Sequence, residues 1–169
     1  MSSRNPVVYD INRVGVPKGI PTVNTDASFK NGVGSYCFMV RAGGDTYLAS
    51  GRVPKEWLAQ GSRGCELYGA LQALDYCASK GYRQVGLFFD YLGIYYATKP
   101  GSEDLRLFKN YASAMRRLTA NMEVFYHKVE GPDDYHKLVD MVSRSNVRIT
   151  LGGDEMTKLR KSLKGKKSL

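Results

Sequence analysis

The sequence predicts an α/β fold in which helices flank a mixed sheet of five strands, in the order β-β-β-α-β-α-β-α. Two turn signals, Asn31-Gly32 and Gly43-Gly44-Asp45, separate apolar runs and indicate three strands joined by hairpins. Residues 65–80 then place apolar side chains at the 3.6-residue period of a helix. Residues 85–89 are nearly all apolar, as expected of a strand buried on both faces. A long helix between two strands indicates a crossover to a parallel neighbour.

The predicted helices have ordinary start and stop signals. Gly81 ends the first helix. Ser102 is a suitable N-cap for the second, followed by Glu103 and Asp104, where the helix dipole favours acids. Residues 150–154 are predicted to form a turn. In chain order, the predicted elements are strands at residues 22–25, 34–40 and 46–52, a helix at 65–80, a strand at 85–89, a helix at 102–119, a strand at 122–129 and a helix at 132–144.

The chain length predicts one folded domain with a short appendage, since 169 residues lie in the range of a single domain. We assign residues 1–20, which are rich in Pro and Gly, to an irregular N-terminal arm. Residues 21–145 form the predicted domain. Residues 146–169 form a basic C-terminal tail, in which six of residues 158–167 are Lys or Arg.

The composition indicates a polyanionic partner. The net charge is +9 and the sequence pI about 9.5, which most simply suggests nucleic acid. No apolar run approaches the roughly 20 residues that span a bilayer, and the first residues lack the pattern of a secretory signal. The three cysteines, Cys37, Cys65 and Cys77, form no CxxC pair and are predicted to be reduced core residues. These features predict a cytoplasmic protein without membrane contact.

Four carboxylates stand where an ordinary surface acid is hard to explain. Asp26 follows the first extended run, and Glu66 opens the apolar helix. Asp90 closes the strand at 85–89, and Asp140 lies on the last predicted helix. Hard divalent cations take oxygen ligands, and two such ions about 4 Å apart can activate a water and stabilise a leaving oxygen. The pattern is therefore typical of a two-metal phosphodiester nuclease.

Each acid also has a plainer interpretation. Asp26 suits a turn because Asp-Ala-Ser is common turn chemistry, and Glu66 interacts favourably with the dipole of its helix. Asp140 could face solvent, in which case Asp133 or Asp134 would be the fourth acid of the site. A helix interior fixes a ligand better than a Pro-flanked turn does, which favours Asp140.

Four short motifs occur in the order found in type 1 ribonuclease H, a family that this chain resembles. Thr25-Asp26-Ala27-Ser28 is similar to the family's T/V-D-G-S, and Arg63-Gly64-Cys65-Glu66-Leu67 to its N-x-x-x-E-L. Phe89-Asp90-Tyr91-Leu92-Gly93-Ile94 resembles the Y-D-Y-x-G-I of the branch that often carries an N-terminal hybrid-binding module. Lys128-Val129-Glu130-Gly131 and the later Leu138-Val139-Asp140 resemble K-V-x-G-H followed by E-L-A-D.

The resemblance covers roughly residues 22–144 and implies a ribonuclease H-like fold. It also implies endonucleolytic cleavage of the RNA strand of an RNA/DNA hybrid, which leaves 5′-phosphate and 3′-hydroxyl ends. The implied cofactors are two Mg²⁺ or Mn²⁺ ions per site, with no organic cofactor, and we expect a monomer. The implied catalytic and metal-binding residues are Asp26, Glu66, Asp90 and Asp140. The implied contacts to the RNA 2′-hydroxyls are Ala27, Ser28, Phe29, Arg63, Gly64 and Cys65.

The sequence departs from the family pattern at three places. Gly131 runs directly into Pro132, so the His that follows the family's K-V-x-G is absent, although His136 lies nearby on the predicted helix. An Asn that precedes the family's Glu is replaced by Gly64 or Cys65, and the first-strand Gly by Ala27.

These departures leave two alternatives. One is a catalytically weak or inactive ribonuclease H-like domain that binds nucleic acid or a protein partner. The retained acids argue against it, because clustered carboxylates repel one another without metal. The other is a nuclease of the same fold that cuts duplex RNA or branched DNA. The compact form would suit a bacteriophage enzyme.

Overall fold

The structure is a computed structural model that describes residues 16–99, 106–131, 133–145 and 150–152. Most of the predicted N-terminal arm and of the basic tail, together with the Ser102 helix start, lies outside the described residues. The strands are β1 (Thr22–Lys30), β2 (Val33–Ala42), β3 (Asp45–Arg52), β4 (Gln84–Phe89), β5 (Glu123–Lys128) and β6 (Thr150–Gly152). The helices are α1 (Ser62–Ser79), α2 (Gly93–Tyr96), α3 (Arg106–Leu118) and α4 (Asp134–Ser145), with a 3₁₀ helix at Lys55–Gln60.

The two predicted hairpins join β1 to β2 and β2 to β3. The first turn consists of Asn31 and Gly32, with φ values of 54° and 76°. The second consists of Gly43 and Gly44, at 57° and 87°. Two-residue hairpin loops favour positive φ at both positions because the backbone twist then matches that of the strands, and Asn and Gly tolerate this conformation best. The turn residues therefore fix the antiparallel register, in which Asp26 pairs with Cys37.

The sheet has six strands, in the order β5-β4-β1-β2-β3-β6, so the prediction of five was wrong. β4 pairs parallel with β1, and β5 pairs parallel with β4. The additional strand β6 occupies residues that were predicted to form a turn, and it pairs antiparallel with β3, with Leu151 opposite Leu48. Three residues are too few to show a strand period in the sequence. The segment is extended because it pairs with the open edge of β3 and packs Leu151 on the core.

Helices cover the sheet on both faces, and α1 and α3 form one layer. α1 buries Leu67, Leu71 and Leu74 where it packs against β1 and β2, and each such side chain contributes roughly 1.5 to 3 kcal/mol. The other face carries α4, whose Leu138 and Val139 pack on Cys37, Met39 and Leu48. All three cysteines are buried and free, as predicted. Within the described ranges, no helix has the length and apolar character needed to cross a bilayer.

Candidate active site

The parallel pairing of β1 with β4 sets two of the predicted acids side by side. The register pairs Asn24 with Phe88. Asp26 lies two residues after Asn24, within β1. Asp90 lies two residues after Phe88 and directly follows β4. Asp26 was expected to follow its strand, but β1 continues to Lys30 because its pairing with β2 extends that far. Both acids therefore lie at the same edge of the sheet, where ligands of α/β proteins commonly bind.

A close approach of α1 to the sheet brings Glu66 to the same place. Gly69 faces β1 and β2, and a Cβ there would lie 3.1 Å from the Tyr36 Cβ and 3.3 Å from Thr25 Oγ1. The absence of that Cβ lets the helix pack tightly, and Glu66, three residues earlier, is only 8% exposed. Its carboxyl group lies close enough to that of Asp26 for each to shift the pKa of the other. A buried contact between two acids is unusual and marks a site rather than a surface.

The fourth acid comes from α4, on the opposite face of the sheet. The Asp133 carboxylate accepts a hydrogen bond from the His136 backbone N–H at 2.9 Å, which is the geometry of an N-cap. Asp140 lies within the helix, and its Oδ1 accepts a hydrogen bond from Arg144 Nε at 3.0 Å. Asp133 therefore starts the helix, and Asp140 is the α4 carboxylate that reaches the cavity described next.

All four predicted carboxylates line one cavity of about 400 Å³. Two of the predicted 2′-hydroxyl contacts, Ala27 and Arg63, also line it. The other four do not: Ser28 and Phe29 lie further along β1, and Gly64 and Cys65 are buried within α1. The lining of the cavity is Asp26, Ala27, Ser62, Arg63, Glu66, Asp90, Tyr91, Asp140 and Arg144.

Burial changes the protonation of Asp26 and Glu66, the two buried acids of the cavity. Burial is the main cause that raises the pKa of Asp26 to about 7; the nearby Asp140 acts in the same direction, whereas hydrogen bonds from Glu66 and the Ala27 N–H act against it. Burial also raises the pKa of Glu66 well above its usual range, and the charge of Asp26 adds to the effect. Two carboxylates this close cannot both ionise readily in a site of low dielectric. A cation placed between them would relieve that repulsion.

Cationic side chains lie beside the other two acids of the cavity, Asp90 and Asp140. Lys128 Nζ is 3.7 Å from Asp90 Oδ1, and Arg144 forms its ion pair with Asp140. The Asp90 side chain is 67% exposed and the Arg144 side chain 71% exposed, so both pairs are open to solvent and worth little in stability. Because they are exposed, they can separate when another charged group enters the cavity.

The carboxylates suit a hard divalent cation by chemistry, since Mg²⁺ and Mn²⁺ take oxygen ligands. However, in the part of the chain that the structure describes, no three His, Cys, Asp or Glu side chains come close enough together to hold a metal ion. The four acids surround the cavity rather than converge on one point. The donor set therefore fits the implied metal, and the side chains would have to move inward to bind it.

The fold matches those of solved ribonucleases H. RNase H1 from the halophilic archaeon Halobacterium salinarum NRC-1 superimposes with a TM-score of 0.60 at 13% identity, over 76% of this chain and 97% of that one. The N-terminal RNase H domain of rv2228c from Mycobacterium tuberculosis gives 0.54 at 15%, over 74% and 96%. LC11-RNase H1, solved in complex with an RNA/DNA hybrid, gives 0.59 at 12%, over 74% and 94%. The chain has a ribonuclease H-like fold.

This confirms the fold that the sequence motifs predicted. No protein-family model matches the chain, and no curated protein matches it either. At such identities the likeness establishes the ribonuclease H-like fold alone.

Three further residues of the cavity were not predicted from the sequence. Arg144 follows Asp140 by four positions, which places both on one face of α4. That spacing was visible in the sequence and could have identified Arg144. Ser62 and Tyr91 each adjoin a motif residue, but nothing in the sequence distinguishes a side chain that lines a cavity from one that packs beside it.

His136 does not replace the loop His that this ribonuclease H-like domain lacks. The side chain is buried in the first turn of α4, and both ring nitrogens are inaccessible to solvent. Its Nε2 lies 3.8 Å from Asp26 Oδ2. Burial lowers the pKa of His136, although the surrounding carboxylates act in the opposite direction. A ring enclosed in this way cannot exchange protons with a substrate in the open part of the cavity.

Proposed function

We propose that this chain is a metal-dependent ribonuclease H that hydrolyses the RNA strand of RNA/DNA hybrids. The observation that carries the proposal is the meeting of Asp26, Glu66, Asp90 and Asp140 at one cavity. They come from β1, α1, the end of β4 and α4, so only the fold brings them together. Structural carboxylates are ordinarily dispersed on the surface, whereas buried acids with perturbed pKa values are typical of functional sites.

Asp26 is the central ligand in this proposal, because its carboxyl group interacts with both Glu66 and Asp140. Glu66 and Asp90 would complete one cation site with Asp26, and Asp140 would complete the second. Two Mg²⁺ or Mn²⁺ ions held by these carboxylates would supply activation of a water for in-line attack on the scissile phosphorus and neutralisation of the departing 3′ oxygen.

The residues around the carboxylates suit a nucleic-acid strand. Arg63 and Arg144 line the cavity and supply donors for phosphate oxygens. Ala27, Ser28 and Phe29 continue along β1 from Asp26, and we assign them, with Arg63, Gly64 and Cys65, to the RNA strand. Gly64 and Cys65 are buried within α1 and do not line the cavity, so their assignment rests on the motif resemblance. Discrimination of RNA from DNA requires contacts to the 2′-hydroxyl.

We further propose that the protein acts as a monomer in the cytoplasm.

A second candidate function is nucleic-acid or protein binding without cleavage. It is favoured by the missing loop His and by the lack of a preassembled metal group among the described residues. Against it stands the burial of Asp26 and Glu66, which destabilises the metal-free fold and has no evident purpose in a domain that only binds.

A cleavage assay on a panel of substrates tests the proposed function. The purified protein would be incubated with Mg²⁺ or Mn²⁺ and a labelled RNA/DNA hybrid, duplex RNA, duplex DNA or branched DNA. We expect cleavage of the RNA strand in the hybrid alone, with 5′-phosphate and 3′-hydroxyl ends. Cleavage of duplex RNA or branched DNA would favour the related-nuclease alternative. Binding of the hybrid without cleavage under either metal would favour the binding domain.

The matched variants lie on one helix. Glu66→Gln removes the buried carboxylate of α1, and Asp75→Asn removes an exposed acid from the same helix. Under the proposal Glu66→Gln loses cleavage and Asp75→Asn retains it, because Glu66 lines the cavity and Asp75 does not.

A further inference from the structure

His136 is a buried polar side chain whose ring makes no hydrogen bond in the described structure. The residue is 9% exposed, and neither Nδ1 nor Nε2 has a hydrogen-bond partner. Buried polar groups are nearly always hydrogen-bonded, so an exception of this kind calls for an explanation. The mechanism proposed above makes no use of this ring.

The ring faces the central carboxylate of the site. Asp26 Oδ1 accepts a hydrogen bond from the Ala27 backbone N–H at 2.9 Å. The second oxygen, Oδ2, is the one that lies 3.8 Å from His136 Nε2. That separation is longer than a hydrogen bond. Polar contacts in ligand-free sites are often long and shorten when the ligand binds.

The start of α4 fixes the position of this ring. The hydrogen bond from the His136 N–H to Asp133 caps the helix, and the guanidinium carbon of Arg41 lies 3.6 Å from the centre of the Tyr135 ring. Asp140 follows His136 by four positions, so both belong to the same face of the helix. α4 therefore supplies the Asp140 carboxylate of the cavity and also the His136 ring, which lies beside the Asp26 carboxylate.

We propose that His136 is a positioning residue, which donates its Nε2–H to Asp26 Oδ2 and holds that carboxylate in the orientation that binds a divalent cation. This inference rests on the proposed function, since it assigns Asp26 to metal binding. With Ala27 on one oxygen and His136 on the other, the Asp26 carboxylate cannot rotate. Residues that hydrogen-bond to metal ligands typically change metal affinity by 10- to 100-fold when replaced. His136 acts through Asp26 and does not touch the substrate.

Two substitutions separate positioning from packing. His136→Gln retains an amide nitrogen near the Nε2 position, whereas His136→Leu fills similar space without a donor. The measurement is the affinity of the purified protein for Mn²⁺ alone, obtained by counting free Mn²⁺ with electron paramagnetic resonance. We expect roughly 10-fold weaker binding for Leu and less than about threefold weaker binding for Gln. In the hybrid assay, Leu should lower kcat with little change in KM.

A third substitution keeps the test decisive if the Leu variant fails to fold. His136→Asn carries its amide nitrogen nearer the Nδ1 position, too far from Asp26 to donate. Weaker Mn²⁺ binding by Asn than by Gln then supports positioning. His127→Leu, on β5, is the control for loss of a histidine and should bind Mn²⁺ as the wild type does.

The outcomes also separate this inference from the proposed function. If the wild type binds Mn²⁺ and the folded Leu variant binds it equally well, the positioning role is wrong while the proposed function stands. Equal losses for Gln, Asn and Leu would likewise assign His136 to packing. If the wild type binds no Mn²⁺, the proposed function fails and this inference fails with it.

Discussion

The carboxyl groups of Asp26 on β1 and Glu66 on α1 interact with each other, although both are acids and both are buried. Without a cation, burial and mutual repulsion favour one shared proton between the two carboxyl groups. The arrangement is unfavourable for the stability of the metal-free fold, and a bound cation would relieve the repulsion. Burial is the main cause of both raised pKa values, and the closeness of the two carboxyl groups is the reason to expect a requirement for metal.

The first prediction concerns stability in the absence of metal. The pKa of Asp26 is raised from 3.8 to about 7, so between these values the folded protein binds more protons than the unfolded chain. Stability contributed at this residue therefore falls as pH rises from about 4 to about 7. Asp26→Asn removes this pH-dependent loss of stability. The free energy of unfolding of the variant should therefore exceed that of the wild type by roughly 1 to 3 kcal/mol as the pH rises through this range.

Urea denaturation in the presence of EDTA, at several pH values, measures this difference. Asp75→Asn is the control, because Asp75 is exposed on α1, and its difference from the wild type should not change with pH. A difference between Asp26→Asn and the wild type that stays constant from pH 4 to pH 7 would show that Asp26 ionises normally in the folded protein.

The second prediction concerns the choice of the fourth acid. Asp140→Asn should lower the rate of hybrid cleavage by about 10²-fold or more, with partial recovery in Mn²⁺, because it removes a carboxylate from the cavity. Asp133→Asn and Asp134→Asn should retain most of the activity. Asp133→Ala should instead cost about 1 kcal/mol in stability through loss of the helix cap.

Initial rates at saturating hybrid, together with urea denaturation, test this assignment. If an Asp133/Asp134 double substitution abolished cleavage while Asp140→Asn did not, the last motif would be wrongly aligned.

The third prediction concerns the chain after α4. Residues 156–169 lie outside the described residues and carry six Lys and Arg side chains. Deleting them should preserve folding and turnover at saturating hybrid. The slope of log affinity against log salt should become shallower by roughly 1 to 3, because a basic tail engages only some of the phosphates. Deleting residues 150–169 would also remove β6, which pairs with β3, and should reduce stability.

Hybrid binding across a salt series, with thermal unfolding of both truncated proteins, provides the measurement. Identical salt slopes for the full chain and the shorter deletion would mean that the tail does not touch nucleic acid. Equal stability of the two truncations would mean that β6 contributes nothing to the fold.

The parts of the fold that local chemistry determines could be predicted from the sequence. Asn31-Gly32 defines a hairpin because few residues other than Asn and Gly tolerate its backbone conformation. The parallel β4 was predictable because a strand buried on both faces must be apolar. The four acids were identifiable because they follow or interrupt apolar runs in which charge is costly.

The remaining features depend on tertiary contacts that leave little trace in the sequence. β6 exists because the edge of β3 is there to pair with it. α1 begins at Ser62, three residues before the predicted start at residue 65, and this places Gly64 inside the helix. The direction of the His136 ring depends on how α4 docks on the sheet. Helical position alone does not specify it.

Cleavage of a hybrid by Asp26→Asn tests the central claim most directly. Asp26 is the ligand shared by both proposed cation sites, because it interacts with both Glu66 and Asp140. With end-labelled RNA in a hybrid and Mg²⁺ present, the wild type should cut the RNA strand. Asp26→Asn should show no detectable cleavage, although it binds the hybrid with nearly unchanged affinity. An Asp26→Asn variant that cut within about threefold of the wild-type rate, well short of the loss expected for an essential group, would contradict the account.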